Sequence, residues 1–170
     1  MILSSESSLR YERFEAYGFG VDYPYDWTIE LNPKSTRSQG DIAFKSSSGH
    51  KIFLSWGELR KVENLHGVDG HADFSIQKIS RSSQATVRGV KRESANVNGH
   101  PASSNKVELE LTTKGSFFNR VVTLQEVHSL HVHCDISSRY FVMYGFTPRE
   151  KSQEGGEVVA KMTRTFLCHR

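Results

Sequence analysis

Apolar residues in this chain fall mainly at every second position, the period of half-buried strands. Phe19, Val21 and Tyr23 share one strand face. Pro24-Tyr25-Asp26 turns the chain, because proline fixes φ and aspartate caps local amides, and Trp27, Ile29 and Leu31 alternate on the return. The spacing predicts a hairpin with its aromatics inward. After a polar loop from Asn32 to Gln39, Ile42 and Phe44 mark a third strand, and Ile52, Leu54 and Trp56 mark a fourth beyond the Ser46–Gly49 turn. The segment before them, Leu9 to Phe14, reads equally as helix or strand.

The period then changes. Leu65, Val68, Ala72, Ile76 and Ile79 lie three and four apart, one apolar stripe of a helix. Gly67 and Gly70 weaken its start, so Asp69 as N-cap predicts a helix over residues 70–82. Alternation returns from Val87. Asn98-Gly99 is a hairpin signal, since both central residues of the favoured turn need positive φ. Lys106 to Thr112 has a clean period of two with one wet face. Phe117 to Gln125 and Leu130 to Ile136 share a parity and make one long strand or two. Tyr140 to Tyr144 is apolar enough for a central strand. Thr147-Pro148 fits a helix start. Gly155-Gly156 should interrupt that helix before Val158, Val159, Met162 and Phe166 form an amphipathic closing one.

Strand runs with segregated helices and no βαβ alternation predict an α+β fold. The expected architecture is a single-domain sandwich, a central twisted antiparallel sheet of about six to eight strands flanked by helices. No linker divides the 170 residues. Residues 1–16 read as an N-terminal extension, only partly ordered.

Composition changes this picture little. Hydrophobic residues make up 36% and charged residues 24%, as in a folded globular chain. The net charge of +3 is a mild excess. Its nearest cluster, Arg81, Arg88, Lys91 and Arg92, reads as solvated surface rather than a nucleic-acid footprint. The two cysteines, Cys134 and Cys168, pair only if the last segment docks beside the strand carrying Cys134; two separate small hydrophobes is the favoured reading. No run approaches a membrane span, and the N-terminus lacks the pattern of a signal peptide. Both point to a cytoplasmic chain, a monomer or weak dimer. The Ser-rich start would also suit a form whose leader or anchor has been removed.

Three stretches together resemble the PsbP/Mog-type fold family. Gly18-Phe19-Gly20-Val21-Asp22-Tyr23-Pro24-Tyr25-Asp26-Trp27 is similar to that family's opening hairpin. Val97-Asn98-Gly99-His100-Pro101-Ala102 is similar to its mid-chain turn. Tyr140-Phe141-Val142-Met143-Tyr144, then Pro148 and a closing helix ending in Thr165-Phe166, is similar to its terminal portion. The resemblance implies a central antiparallel sheet with flanking helices. Members include extrinsic photosystem II proteins, Ran-binding proteins and many microbial domains, so it also implies a binding or assembly role with a protein partner. No stretch matches a photosystem or Ran contact surface residue by residue.

The residues that can carry chemistry are few. In His128-x-x-His131-x-His133-Cys134-Asp135, a strand puts His131, His133 and Asp135 on one face, a workable metal set. The competing reading lines the same histidines along the wet side while Leu130, Val132 and Cys134 face the core. Cys168-His169 stands near the terminus as a further source of ligands. There is no nucleophile elbow, dinucleotide fingerprint or phosphate loop, which argues against an enzyme. Adjacent His133 and Cys134 point to opposite faces and cannot form a nucleophile–base pair directly. No resident cofactor is called for beyond that candidate ion. Phe117, Phe118 and Trp56 are the candidate partner-binding aromatics, since one of two adjacent rings in a strand must leave the core side. The leading expectation is a non-catalytic binding or assembly domain. The alternatives are a metal-binding protein using the His131/His133 strand, and a small-ligand carrier or enzyme with a sheet–helix pocket.

Overall fold

The computed structural model describes residues 9–82, 84–115 and 119–170. Its strands are β1 (Tyr11–Ala16), β2 (Phe19–Pro24), β3 (Thr28–Leu31), β4 (Gly40–Lys45), β5 (Lys51–Glu58), β6 (Ala85–Val97), β7 (His100–Lys114), β8 (Arg120–Cys134) and β9 (Arg139–Pro148). Its α-helices are α1 (Gly67–Ser80) and α2 (Ser152–Thr165), each preceded by a 3₁₀ turn. Seven strands form one antiparallel sheet in the order β3-β4-β5-β9-β8-β7-β6, and β1 pairs with β2 apart from it. This is the α+β class the alternation predicts.

Strand β9 takes the middle of the sheet because Phe141, Val142 and Met143 are all buried, so both its faces are covered. Helix α2 and the β1–β2 pair cover one face. There Phe19, Val21, Trp56, Phe141, Val158, Met162 and Phe166 belong to the main core. Helix α1 covers the other face over β6, β7 and β8, where Ile76 and Ile79 pack on a smaller cluster of Val107, Leu109 and Val127.

Several expectations hold locally. Asn98 and Gly99 have φ of 54° and 83°, and Val97 pairs with His100, a two-residue hairpin turn. The stretch around residues 120–134 is one continuous strand. Others need correction. The predicted β2–β3 hairpin does not form: β2 pairs back onto β1, while β3 pairs with β4. Phe19, Gly20 and Val21 are all buried, and a strand buried on both faces fits a second layer stacked on the sheet. Tyr11–Ala16, placed in the expected extension, is the partner strand β1.

Helix α1 begins before Asp69, with His66 at its N-cap in the left-handed region. Gly155-Gly156 does not interrupt the last helix but lies inside α2. The reason is a close crossing. A Cβ on Gly155 would sit 2.1 Å from Thr147 Oγ1, whereas one on Gly156 would reach His128 Cε1 only at 3.4 Å. Gly155→Ala should therefore cost about 2 kcal/mol through overpacking, although alanine is the better helix former. Gly156→Ala should be neutral or slightly stabilising. Urea midpoints of the two variants check this, and equal midpoints would show that the crossing is not tight.

Candidate functional site

The chemistry gathers around β8, whose two faces look into different environments. His131 and His133 point toward α1, not to solvent, so the wet-side reading is corrected: His131 is fully buried and His133 half-buried. The residue that joins them is His71 of α1, whose Nδ1 lies 3.1 Å from His133 Nε2. The His71 and His131 rings meet edge to face at 4.9 Å. His131 Nε2 is 3.2 Å from Ser75 Oγ, and its Nδ1 is buried with no hydrogen-bond partner among the described residues. Tyr140 and Tyr144 of β9 close the cluster against His71 and His131.

These imidazoles are held neutral. Burial, with the neighbouring histidines, pushes His71 down to about 4 and His131 down to about 3. His133 is also lowered by burial, partly offset by Asp135. Asp135 does not share their face. The strand ends at Cys134, so the period of two lapses and Asp135 sits exposed in the following turn. His128, on the opposite face, lies 2.7 Å from Glu126 Oε1, and Glu126 also takes Lys106 Nζ at 3.0 Å.

A second cluster lies at the end of β8 on the α2 face. The β7–β8 register, continued two residues beyond the Ala102–Val132 pair, sets His100 opposite Cys134. The segment after α2 docks beside them through the antiparallel bridge between Gly20 and Leu167. That brings Cys168 and His169 to the same point. Cys134 Sγ is 3.6 Å from His100 Nε2 and 3.5 Å from His169 Nδ1, and Cys168 Sγ is 3.5 Å from that same Nδ1. Both thiols are free and fully buried. Burial, with the neighbouring Cys134, pushes the Cys168 thiol up to about 12. The sequence pattern offers Cys168-His169 as further ligands but does not join the pair to His100. The signal that could have done so is the Asn98-Gly99 turn, which fixes His100 as the first residue of a return strand.

Trp56 is corrected as a partner-binding residue. It is 2% exposed, packs at 4.9 Å on Phe19, and its indole N–H donates to Thr36 O at 2.9 Å. Ile52, Leu54 and Trp56 all face the main core, so the alternation runs to the strand end without a break. Phe117 and Phe118 lie outside the described residues. Next to them, β7 and β8 run on as an arm beyond the rest of the sheet. β9 pairs with β8 only from Gln125, so Arg120–Leu124 has β7 on one side and no strand on the other among the described residues. Val121, Val122 and Leu124 on this edge are 49%, 55% and 40% exposed.

Two open clefts lie beside these groups. One of about 540 Å³ is lined by charged and polar groups, among them Arg37, Glu58, Arg60 and Arg139. The other, about 250 Å³, runs between β8 and α2 past His128, Ser129 and Gly156.

Solved structures define the fold class. The chain has the PsbP/Mog-type fold, as its sequence resemblance implies. Cyanobacterial PsbP of Synechocystis sp. PCC 6803 superimposes with a TM-score of 0.67 over 98% of this chain and 97% of its own, at 8% identity. The Ran-binding protein Mog1p of Saccharomyces cerevisiae gives 0.56 over 94% and 96%, also at 8% identity. LpqN of Mycobacterium tuberculosis, involved in cell envelope biogenesis, gives 0.52 over 97% and 94%, at 14% identity. No family model matches the sequence, and neither does any curated protein. No helix among the described residues is long and apolar enough to cross a membrane.

Proposed function

We propose that this chain is a non-catalytic binding domain for a protein partner, which docks on the outer arm of β7 and β8. The observation that carries this reading is the edge of β8 at Arg120–Leu124, which has no strand beside it opposite β7 among the described residues and exposes Val121, Val122 and Leu124. Unpaired backbone groups with alternating apolar side chains are what an extended segment of another chain recognises when it adds a strand. Soluble proteins normally blunt such edges, because an open edge invites pairing. Lys114, Arg120 and Arg149, all exposed, flank the arm, so the complementary segment is apolar and acidic. A protein of the same fold that is described as Ran-binding lends support to a protein partner in general, without naming this one.

The test compares the wild-type chain with Val122→Lys/Leu124→Lys as baits in native extract. The expected result is a stoichiometric partner, retained at moderate salt by the wild type and lost by the double variant, with both baits showing the same circular dichroism and melting temperature. The reading falls if the wild type retains nothing, or if the charged edge retains the same protein equally well. A concentration-dependent dimer abolished by the same substitutions would also sink it, by making a second copy the occupant.

A further inference from the structure

Four side chains from three separate parts of the chain converge where the strand–helix chemistry above gives them no task. His100 opens β7, Cys134 ends β8, and Cys168 and His169 follow α2. Their donor atoms all lie within 4.8 Å of one another. We propose that His100 Nε2, Cys134 Sγ, Cys168 Sγ and His169 Nδ1 form a four-coordinate site for a zinc-class divalent cation, which clamps the C-terminal segment to the end of the β7–β8 hairpin.

The spacing fits the ion. With zinc–sulfur and zinc–nitrogen bonds of about 2.3 and 2.0–2.1 Å at tetrahedral angles, a nitrogen–sulfur edge measures about 3.6 Å. Three of the four nitrogen–sulfur separations are 3.6, 3.5 and 3.5 Å, and the fourth, His100 to Cys168, is within 4.8 Å. The donor types fit as well. Two thiolates and two imidazoles are one of the common structural zinc sets, and thiolate favours zinc over the hard cations magnesium and calcium.

Charge also balances. Two thiolates neutralise a divalent cation, so the buried group carries no net charge, the condition under which deep burial of an ion is tolerable. Cys134 and Cys168 are fully buried and His100 is 7% exposed, while His169 is only partly buried and gives the ion a way in. The Ser137 backbone N–H already points at Cys134 Sγ from 3.5 Å, the kind of outer contact that steadies a metal-bound thiolate. Asn98 Nδ2, 3.3 Å from His169 Nδ1, must turn aside to free that lone pair for the metal.

All four positions are filled by protein, so the site is structural rather than catalytic. No thiol is oxidised on binding. The cation displaces one proton from each thiol, and those protons go to bulk water. The assignment is independent of the partner-binding reading, since the β8 arm lies at the other end of the strand.

The experiment is zinc and cobalt(II) loading of the reduced full chain, followed by gel filtration and elemental analysis. The expected result is about one equivalent per chain, a higher melting temperature reversed by chelator, and a cobalt spectrum with thiolate charge-transfer and tetrahedral ligand-field bands. His100→Ala and Cys168→Ser should each drop retained metal at least roughly tenfold, while His131→Ala keeps it. If Cys168→Ser fails to fold, His169→Ala, at a half-buried position near the chain end, provides the same readout. Retention below about a tenth of an equivalent by the wild type overturns the proposal. So does full retention by the His100→Ala/His169→Ala double variant, or a cobalt spectrum without thiolate bands.

Discussion

Replacing Arg139 by methionine is expected to lower stability by about 4 kcal/mol. Arg139 opens β9 and is 4% exposed. Its Nη1 donates to Tyr17 O at 2.7 Å and Arg37 O at 2.8 Å, and its Nη2 to Gly18 O at 3.1 Å and Cys168 O at 3.4 Å. One guanidinium thus ties the β1–β2 turn, the loop before β4 and the C-terminal segment to the central strand. Methionine fills much of the volume but leaves these carbonyls without their donor, and a buried acceptor left unpaired costs about 1–3 kcal/mol. Lysine should rescue little, because a compact ammonium lacks the planar fork that reaches in several directions. Denaturant titration of Arg139→Met and Arg139→Lys measures both losses. A loss below about 1 kcal/mol in Arg139→Met would mean that water replaces the guanidinium at no cost.

Acid sensitivity set by the histidine cluster is the second large effect. His71 and His131 sit at about 4 and about 3 in the folded chain, against about 6.5 when unfolded. Above pH 6.5 both states hold these rings neutral, so the pair adds no pH dependence. Below 6.5 the unfolded chain takes up protons that the folded chain refuses, and stability falls as pH drops toward the folded values. By pH 4 the share from His131 alone is roughly 3 kcal/mol.

The surroundings support this direction. His131 faces His71 and Ser75 from α1, His133 on its own strand and Tyr144 from β9. Arg92 of β6 adds a further positive charge, moderated by its contacts with Asp73 at 2.6 Å and Asp69 at 3.8 Å. His131→Phe, which keeps a ring in the slot and removes one titration, should flatten the curve of melting temperature against pH between 6.5 and 4. An unchanged slope in that variant would assign the acid sensitivity to carboxylates instead.

The legible parts of this chain were those whose geometry is set within a few residues. Asn98-Gly99 demands positive φ and so fixes a hairpin, and Tyr140–Tyr144 is too apolar to lie anywhere but in the middle. Elements were misread where tertiary contacts decide. The sequence of β2 looks like half of a hairpin with β3, yet its pairing is chosen by the layer it fills. Gly155 looks like a helix breaker until Thr147 is seen beneath it.

The site divides in the same way. Strand periodicity correctly set His131 and His133 on one face and Cys134 on the other, but it carries no information about which face a helix will cover. It gave Asp135 a place on the strand because it cannot see the turn that ends it. His100 and Cys168 meet Cys134 across 34 residues in each direction, a juxtaposition made by strand register and tail docking rather than by any local pattern.

The central place of β9 has a consequence for how the chain reaches this state. β3-β4-β5 and β6-β7-β8 are each meanders of sequence neighbours, and each can zip up from its own turns. They become one sheet only when residues 139–148 slide between β5 and β8, pairing with both. During synthesis those two edges stay open until residues 139–148 have left the ribosome, so productive folding waits on long-range closure. In that interval the nascent chain presents two long unpaired strands, the condition in which chaperone holding matters most.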